Sequence, residues 1–480
     1  MWLSEAAQDG SSRRSLASAP APRMKTAITT AENANPSYPS RSQSLSVIIP
    51  SPLQRQTGVW RSRVNPVWVE LKQLPHGLSF RSASHSSFLR SYPGHHLLPK
   101  VLLYNAKGSI LVVAAQKELE QMYEILISEA EQFSTSVLQH YGVPPDHAKI
   151  ITEVIIDSAL RGYDDHGLLF LQIVVQWGFI QGMINPAPDV KLIRDNPSTA
   201  LLDGDGGSGA VAAKKAMQIC IEKAKKTGIA AVGVNNSGNI IAPAVFVLDA
   251  ADAGLIGYCS SNIQALMAPE GGKSRSLGTN PIAYAAPSAT GIPFLFDMSC
   301  STAAAAKIVV AARQGSEVQP GLIQDRDGNP TTNPNDFMGL DNNGMFSDGG
   351  GTVLPTGGPK GYGMAMVVDT LCGVLTGANF GADLQLTNAK ESKPGHFMWV
   401  IDVEQFMDRE EFEARMDARA TGVKNSDRKP GVDEILIPGE RGIRLKNESI
   451  ARGTVRVSQE TWDAIGQLKD ISGVPLPRDL

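Results

Sequence analysis

Apolar residues along the chain fall into two rhythms. Met122, Ile125, Leu126 and Phe133 recur at helical spacing, which predicts a helix over Gln116–Tyr141. Ile151, Val154, Ile155 and Leu160 form the stripe of a second helix, capped by Asp146 and running to about Tyr163. Further helices are predicted over Ala210–Lys226, ended by Gly228, over the small residues Thr302–Arg313, and over the apolar Tyr362–Leu375. Two more follow, the charged Glu410–Ala420 and the terminal Thr461–Leu468. Short apolar runs bounded by Gly and Pro predict strands at Ser198–Leu202, Ile229–Val234, Leu255–Tyr258, Ile282–Ala286, Pro293–Phe296 and Phe397–Ile401. Gly321–Pro355 reads as long and irregular, rich in Asp, Asn and Gly. No internal repeat is present.

Residues 1 to about 112 keep neither rhythm, because Pro and Ser interrupt every apolar run, so little structure is expected there. Charge separates this leader from the rest. Residues 1–110 carry 13 Lys/Arg against 4 Asp/Glu, a net of +9, and hold 19 Ser. The whole chain of 480 residues has 44 Lys+Arg and 48 Asp+Glu, a net of −4, so the remainder carries −13. An Arg- and Ser-rich, acid-poor leader has the composition of a mitochondrial transit peptide; a tail without a fold reads equally well, and Met24 offers an internal start. The expected location is cytoplasmic, or mitochondrial if the leader is a transit peptide. The overall charge excludes a strongly basic nucleic-acid binder. The longest apolar run, Leu168–Ile180, is interrupted by Gln172, Gln176 and Gly178, and no membrane span is expected. Cys220, Cys259, Cys300 and Cys372 fit no metal or disulfide pattern and read as small core residues, so no metal is expected.

Three blocks carry candidate chemistry. Gly204–Gly209 fits G-x-G-x-x-G, but the next strand ends in Asn235-Asn236 rather than an acid, so a tight strand-to-helix turn is the preferred reading over a Rossmann phosphate loop. A calcium loop at Asp203-x-Asp205 fails because its last ligand position falls on Lys214. Among eight histidines only His166, in Asp164-Asp165-His166-Gly167, sits in a constellation. A carboxylate beside an imidazole raises its pKa and fixes its tautomer, as proton transfer needs. The same block also makes a good helix C-terminus, and residues i and i+1 do not face each other on a regular helix, so Asp165 serves His166 only where the helix ends or bends. Finally, Leu354–Gly363 places four glycines and Lys360 before an apolar helix, a backbone suited to phosphate or dinucleotide contact, or to close packing.

Together with Arg161–Gly167, Asn185-Pro186, Val234–Asn239, Gly278-Thr279-Asn280-Pro281, Asp297-Met298-Ser299, Leu375–Ala378 and Ile437–Glu440, these blocks make the chain resemble the malate/L-lactate dehydrogenase family of NAD(P)-dependent oxidoreductases over about residues 116–480. That family includes ureidoglycolate dehydrogenases, diketogulonate reductases and piperideine-carboxylate reductases. The resemblance implies an α/β (α+β), non-Rossmann fold of two domains. One is a helical, substrate-side domain from 113–200 and 386–480; the other is a mixed, largely antiparallel sheet domain from 201–385 that binds the dinucleotide. It implies a homodimer and reversible hydride transfer between NAD or NADP and C2 of a 2-oxo or 2-hydroxy acid or a related imine.

By the same resemblance His166 is the proton donor and Asp165 takes the place of a Ser that orients it. Thr279, Asp297, Met298, Ser299, Gly358, Pro359, Lys360, Pro438, Gly439 and Glu440 are expected cofactor contacts. Two departures stand out. Asn239 replaces a second His, and with Ile240 it falls among the expected cofactor contacts. Phe170 stands where an Arg would fork onto the substrate carboxylate, so Phe170 and Asn239 are the expected substrate-side positions. These departures also motivate the alternative of a catalytically impaired relative that keeps the fold.

Overall fold

The structure, a computed structural model, describes residues 100–104, 110–114, 122–340, 346–385 and 391–479. The chain divides into two units, Met1–Glu118 and Leu119–Leu480. In the first, β1 (Lys100–Tyr104) and β2 (Ile110–Ala114) pair antiparallel, where the sequence pattern predicts little structure. The other leader residues, and with them the transit-peptide expectation, lie outside the described residues.

The second unit opens with a correction. Residues Met122–Leu126 are a strand, β3, and the helix α1 begins only at Ile127 and ends at His140. The apolar spacing fits either state; what decides is a partner from the far end of the chain, β16 (Thr454–Ser458), whose Val455 and Val457 are buried and which pairs antiparallel with β3. Helix α2 (Pro145–Leu160) follows, with Pro144 rather than Asp146 at its N-cap. After a 3-10 turn at Asp164–His166 comes α3 (Leu168–Ile173), which widens into a π-helical segment, Val174–Ile180.

The main sheet collects β4 (Lys191–Asp195), β5 (Thr199–Asp203), β6 (Ile229–Asn235), β7 (Leu255–Ser261), β8 (Ile282–Ala286), β9 (Phe294–Met298) and, from beyond residue 386, β15 (His396–Asp402). Its order is β4-β5-β6-β15-β7-β8-β9. Only β5–β6 is parallel. The sheet is therefore mixed and largely antiparallel, without the parallel βαβ winding of a Rossmann fold. Its strands come from both sides of the segment 201–385, with β15 at the centre.

Helix α4 (Gly209–Thr227) covers β6 and β15, and α5 (Ala244–Asp252), which the sequence pattern does not announce, covers β7 and β8. Between the helices and the sheet, Met217, Cys220, Val232, Phe246, Cys259 and Met398 are fully buried. All four cysteines are buried and free. On the other side of the sheet α6 (Ala305–Arg313) and α7 (Pro359–Asp369) enclose a second core around Met267, Cys300, Ile308, Phe337 and Val368. The irregular segment 321–355 contributes the short strands β10 (Ile323–Gln324), β11 (Pro330–Thr331), β12 (Met338–Leu340), β13 (Phe346–Asp348) and β14 (Thr352–Val353). The C-terminal part adds α8 (Arg409–Lys424), α9 (Glu440–Arg452) and α10 (Gln459–Ser472). Among the described residues no helix is long and apolar enough to cross a membrane.

Candidate active site

The His166 block lies where α2 has already ended. Gly162, at φ +77°, reverses the chain after Leu160, and the next residues wind as a tight 3-10 turn. In that conformation adjacent side chains meet. His166 Nδ1 is 3.2 Å from Asp165 Oδ1, and Asp165 is buried while about a third of the imidazole side chain is exposed. Burial pushes the His166 pKa down, but the Asp165 contact and the charge of Asp297 outweigh it, and the imidazole sits above its ordinary value. Burial pushes Asp165 up, and the His166 contact more than reverses this, holding it below the usual carboxylate range.

Phe170 lies one helical turn on. It is buried in the core and its ring stacks on His166, with centroids 5.9 Å apart and planes 8° from parallel. The imidazole is thus held by a carboxylate at one nitrogen and an aromatic face behind it.

Asp297 ties this block to the sheet. It lies on β9 opposite Ala283, and burial raises its carboxyl to about 6 against the opposing charges of His166 and Arg161. The strand then runs into the expected cofactor segments: Cys300 N donates to Thr279 O (2.7 Å), and Thr356 N donates to Cys300 O (2.9 Å). The turns Gly278–Pro281, Asp297–Ser299 and Thr356–Lys360 therefore form one surface, with Thr279 and Asn280 buried and Lys360 exposed. Gly357 (φ +61°) and Gly358 (φ +62°) turn the chain into α7 with Pro359 at its first position, and Gly361 N donates back to Thr356 O (2.8 Å). A Cβ on Gly358 would come within 3.1 Å of Glu270 Oε2, and one on Gly361 within 2.6 Å of Cys300 O. Gly361 thus serves close backbone packing, while Gly357, Pro359 and Lys360 stay exposed at the helix start, the side open to a dinucleotide phosphate.

The loop Ile437–Glu440 seals the other flank. Leu295 N donates to Pro438 O, and Gly439 (φ +85°) lies so close to Leu295 that a Cβ would stand 2.6 Å from its carbonyl oxygen. Glu440 is committed to the fold. Burial raises its carboxyl, but Lys424, the Ile437 amide and Arg444 overcome this and bring it to about 2. Between this loop, α6 and the His166 block lies a cleft of about 530 Å³, lined by Tyr163, Asp165, Lys307, Val310, Gly439 and Arg441 among others.

Asn239 and Ile240 lie in the loop after β6. Asn239 Oδ1 accepts from Ile241 N (2.7 Å) and so secures a left-handed Ile241 at φ +70°; Ile240 is buried in the apolar core. This loop absorbs the Gly204–Gly209 block. A Cβ on Gly209 would stand 2.4 Å from Gly238 O, and one on Gly204 2.9 Å from Asn236 O. Those glycines serve close backbone packing. His396, which sequence pattern alone does not distinguish, lies fully buried on β15 with Nδ1 2.9 Å from Ser261 Oγ and Nε2 2.9 Å from Ser237 Oγ. Sequence reading also missed Lys307 and Arg441. The available signal for Lys307 was a cation in the first turn of a small, apolar helix that ends in Arg313.

Three comparisons with known proteins find relatives of the chain. A family model described as malate/L-lactate dehydrogenase matches residues 125–466. The chain is 38% identical over 355 residues to the malate dehydrogenase of Pyrococcus abyssi, covering 74% of this chain and 96% of that one. It is 36% identical over 338 residues to the L-sulfolactate dehydrogenase of Methanocaldococcus jannaschii, covering 70% and 92%. The crystal structure of malate dehydrogenase from Entamoeba histolytica superposes with a TM-score of 0.69 at 29% identity, over 75% of this chain and all of that one.

Proposed function

The chain belongs to the malate/L-lactate dehydrogenase family and is an NAD(P)-dependent dehydrogenase, and on that premise we propose that His166 is its proton donor and acceptor at a 2-oxo or 2-hydroxy acid. The observation that carries the reading is the Asp165–His166 pair facing Asp297, at the edge of the glycine-rich surface. Thr279, Met298, Ser299 and the first turn of α7 are the residues that would hold the dinucleotide. Bound there, the nicotinamide supplies or accepts the hydride at C2 of the substrate.

His166 does the rest. With Nδ1 engaged by Asp165, Nε2 is the nitrogen left to serve the substrate oxygen. In reduction it gives its proton to the oxygen as negative charge develops there; in oxidation it removes the hydroxyl proton. Asp165 stabilises the imidazolium in both directions, and Phe170 fixes the ring plane. Asn239 cannot shuttle a proton, and its carbonyl oxygen is already spent on Ile241, so one imidazole suffices in this scheme. The impaired alternative has no support in a donor so well furnished.

The functional unit is a homodimer in this reading. Val367, Val374 and Leu375 are each more than half exposed, and with Met366 and Phe380 they leave an apolar face on and just after α7, toward its C-terminal end. A panel of 2-oxo acids with NADH and NADPH tests the activity; the expected result is oxidation of one of them by pyruvate or a larger 2-oxo acid, and no turnover with any pair removes the proposal.

A further inference from the structure

We infer that Asn239 is a positioning residue for the proton donor: its side-chain carbonyl holds a strained turn at Ile241, and that turn sets the start of α5 against Asp297, which faces His166. The inference rests on the function proposed above. The role exists because an isoleucine stands at position 241.

Ala242 N donates to Ile240 O (3.1 Å) across Ile241 at φ +70°. Such a bond, closing two residues over a left-handed centre, makes a γ-turn of the strained kind, and a β-branched side chain is poorly suited to its middle. Among the described residues the other non-glycine positions at positive φ are Asp205, Asn236 and Asn280, types that tolerate it; Ile241 does not. What offsets the strain is Asn239 Oδ1, which accepts from Ile241 N at 2.7 Å. Ile240, Ile241 and Ala242 are all buried, so water is poorly placed to take over that amide.

The turn is clamped upstream. Ser237 Oγ is 2.9 Å from His396 Nε2, Ser237 N donates to Pro394 O, and Gly238 O is pressed against Gly209. Downstream, Pro243 opens α5, and Phe246 N donates to its carbonyl (3.2 Å). The body of α5 is locked onto the sheet, since a Cβ on Gly257 would stand 2.7 Å from Ala250 Cβ. A relaxed turn is therefore felt at Pro243–Ala244. There the Ala244 amide faces the Asp297 carboxyl and, with His166 and Arg161, favours its ionised form; Tyr163 also faces this carboxyl. Asp297 in turn favours protonated His166, as Asp165 does, against burial and the charge of Lys307.

The test titrates the His166 imidazole in the full chain by carbon NMR of labelled histidine rings, with H166Q assigning the signal. In N239A the turn relaxes, Asp297 loses a donor and less of it is ionised near neutral pH. The His166 pKa is then expected to fall by about half to one pH unit, and the falling limb of the reductive kcat/KM profile to move with it. N239S, whose hydroxyl accepts from the same amide, should keep most of the parent value. I241G adopts the left-handed turn unaided, so its urea midpoint should rise by about 0.5 M, and N239A/I241G should titrate within about 0.2 pH unit of the parent. An N239A chain that loses stability with the titration unmoved overturns the inference. So does an N239A/I241G chain as perturbed as N239A, the mark of a direct contact between Asn239 and cofactor or substrate. If N239A does not fold, N239A/I241G decides, because it must fold and titrate as the parent does, and failure on either count overturns the inference. The titration is read without substrate, so its outcome stands apart from whether the chain reduces any 2-oxo acid.

Discussion

Asp165 occupies a position where its backbone and its charge act together. The 3-10 turn brings its carboxylate onto its neighbour's imidazole, and its negative charge keeps His166 protonated to higher pH than a free histidine. The sign follows for activity. Reduction needs His166 protonated, so kcat/KM for the 2-oxo acid should be highest at low pH and fall through a group above the ordinary histidine value. Asp165→Asn keeps a hydrogen-bonding side chain and removes the charge. The falling limb should then move to lower pH, by about one unit, in a kcat/KM profile. An unmoved limb would mean that Asp165 does not set the titration of the donor.

At the scale of elements, the glycine-rich turns separate by what they touch. Gly209→Ala drives a methyl into Gly238 O and should cost about 2–4 kcal/mol in a denaturant titration, with cofactor affinity of the folded protein unchanged. A large loss of cofactor affinity without loss of stability would return Gly204–Gly209 to the phosphate-loop reading. His396 makes a second element-level prediction. Burial on the central strand lowers its pKa to about 3. The unfolded chain therefore binds a proton there that the native protein does not, and stability should fall as pH drops from about 6.5 toward 3. His396→Gln should flatten that part of the stability–pH curve, checked by urea midpoints at several pH values.

These elements also show what a single chain reveals. Strands β5 to β9 and helices α4, α6 and α7 announce themselves, because each carries its own rhythm and a glycine or proline at its boundary. Strand β3 does not, because its state is fixed by β16, more than 300 residues away. Helix α5 is hidden in a run so short and apolar that periodicity has nothing to measure. At the site, His166 was legible from its carboxylate neighbours. Lys307 and Arg441 were not, since only the fold brings α6 and the start of α9 to the same cleft.

At the scale of the whole molecule, the exposed apolar face on the later part of α7 bears on assembly. Val374→Glu combined with Leu375→Glu places charge on residues 57% and 62% exposed, so the isolated fold should tolerate it. Light scattering should report a monomer for this variant and a dimer for the parent chain; a parent that is monomeric at micromolar concentration contradicts the proposed homodimer.

One imidazole carries the proposed proton transfer. His166→Gln should leave the fold and cofactor affinity nearly unchanged and slow turnover of the best 2-oxo acid by about 10²–10⁴-fold, read as the rate of nicotinamide oxidation. Turnover at the parent rate in that variant, with cofactor bound, would contradict the assignment of His166 as the proton donor.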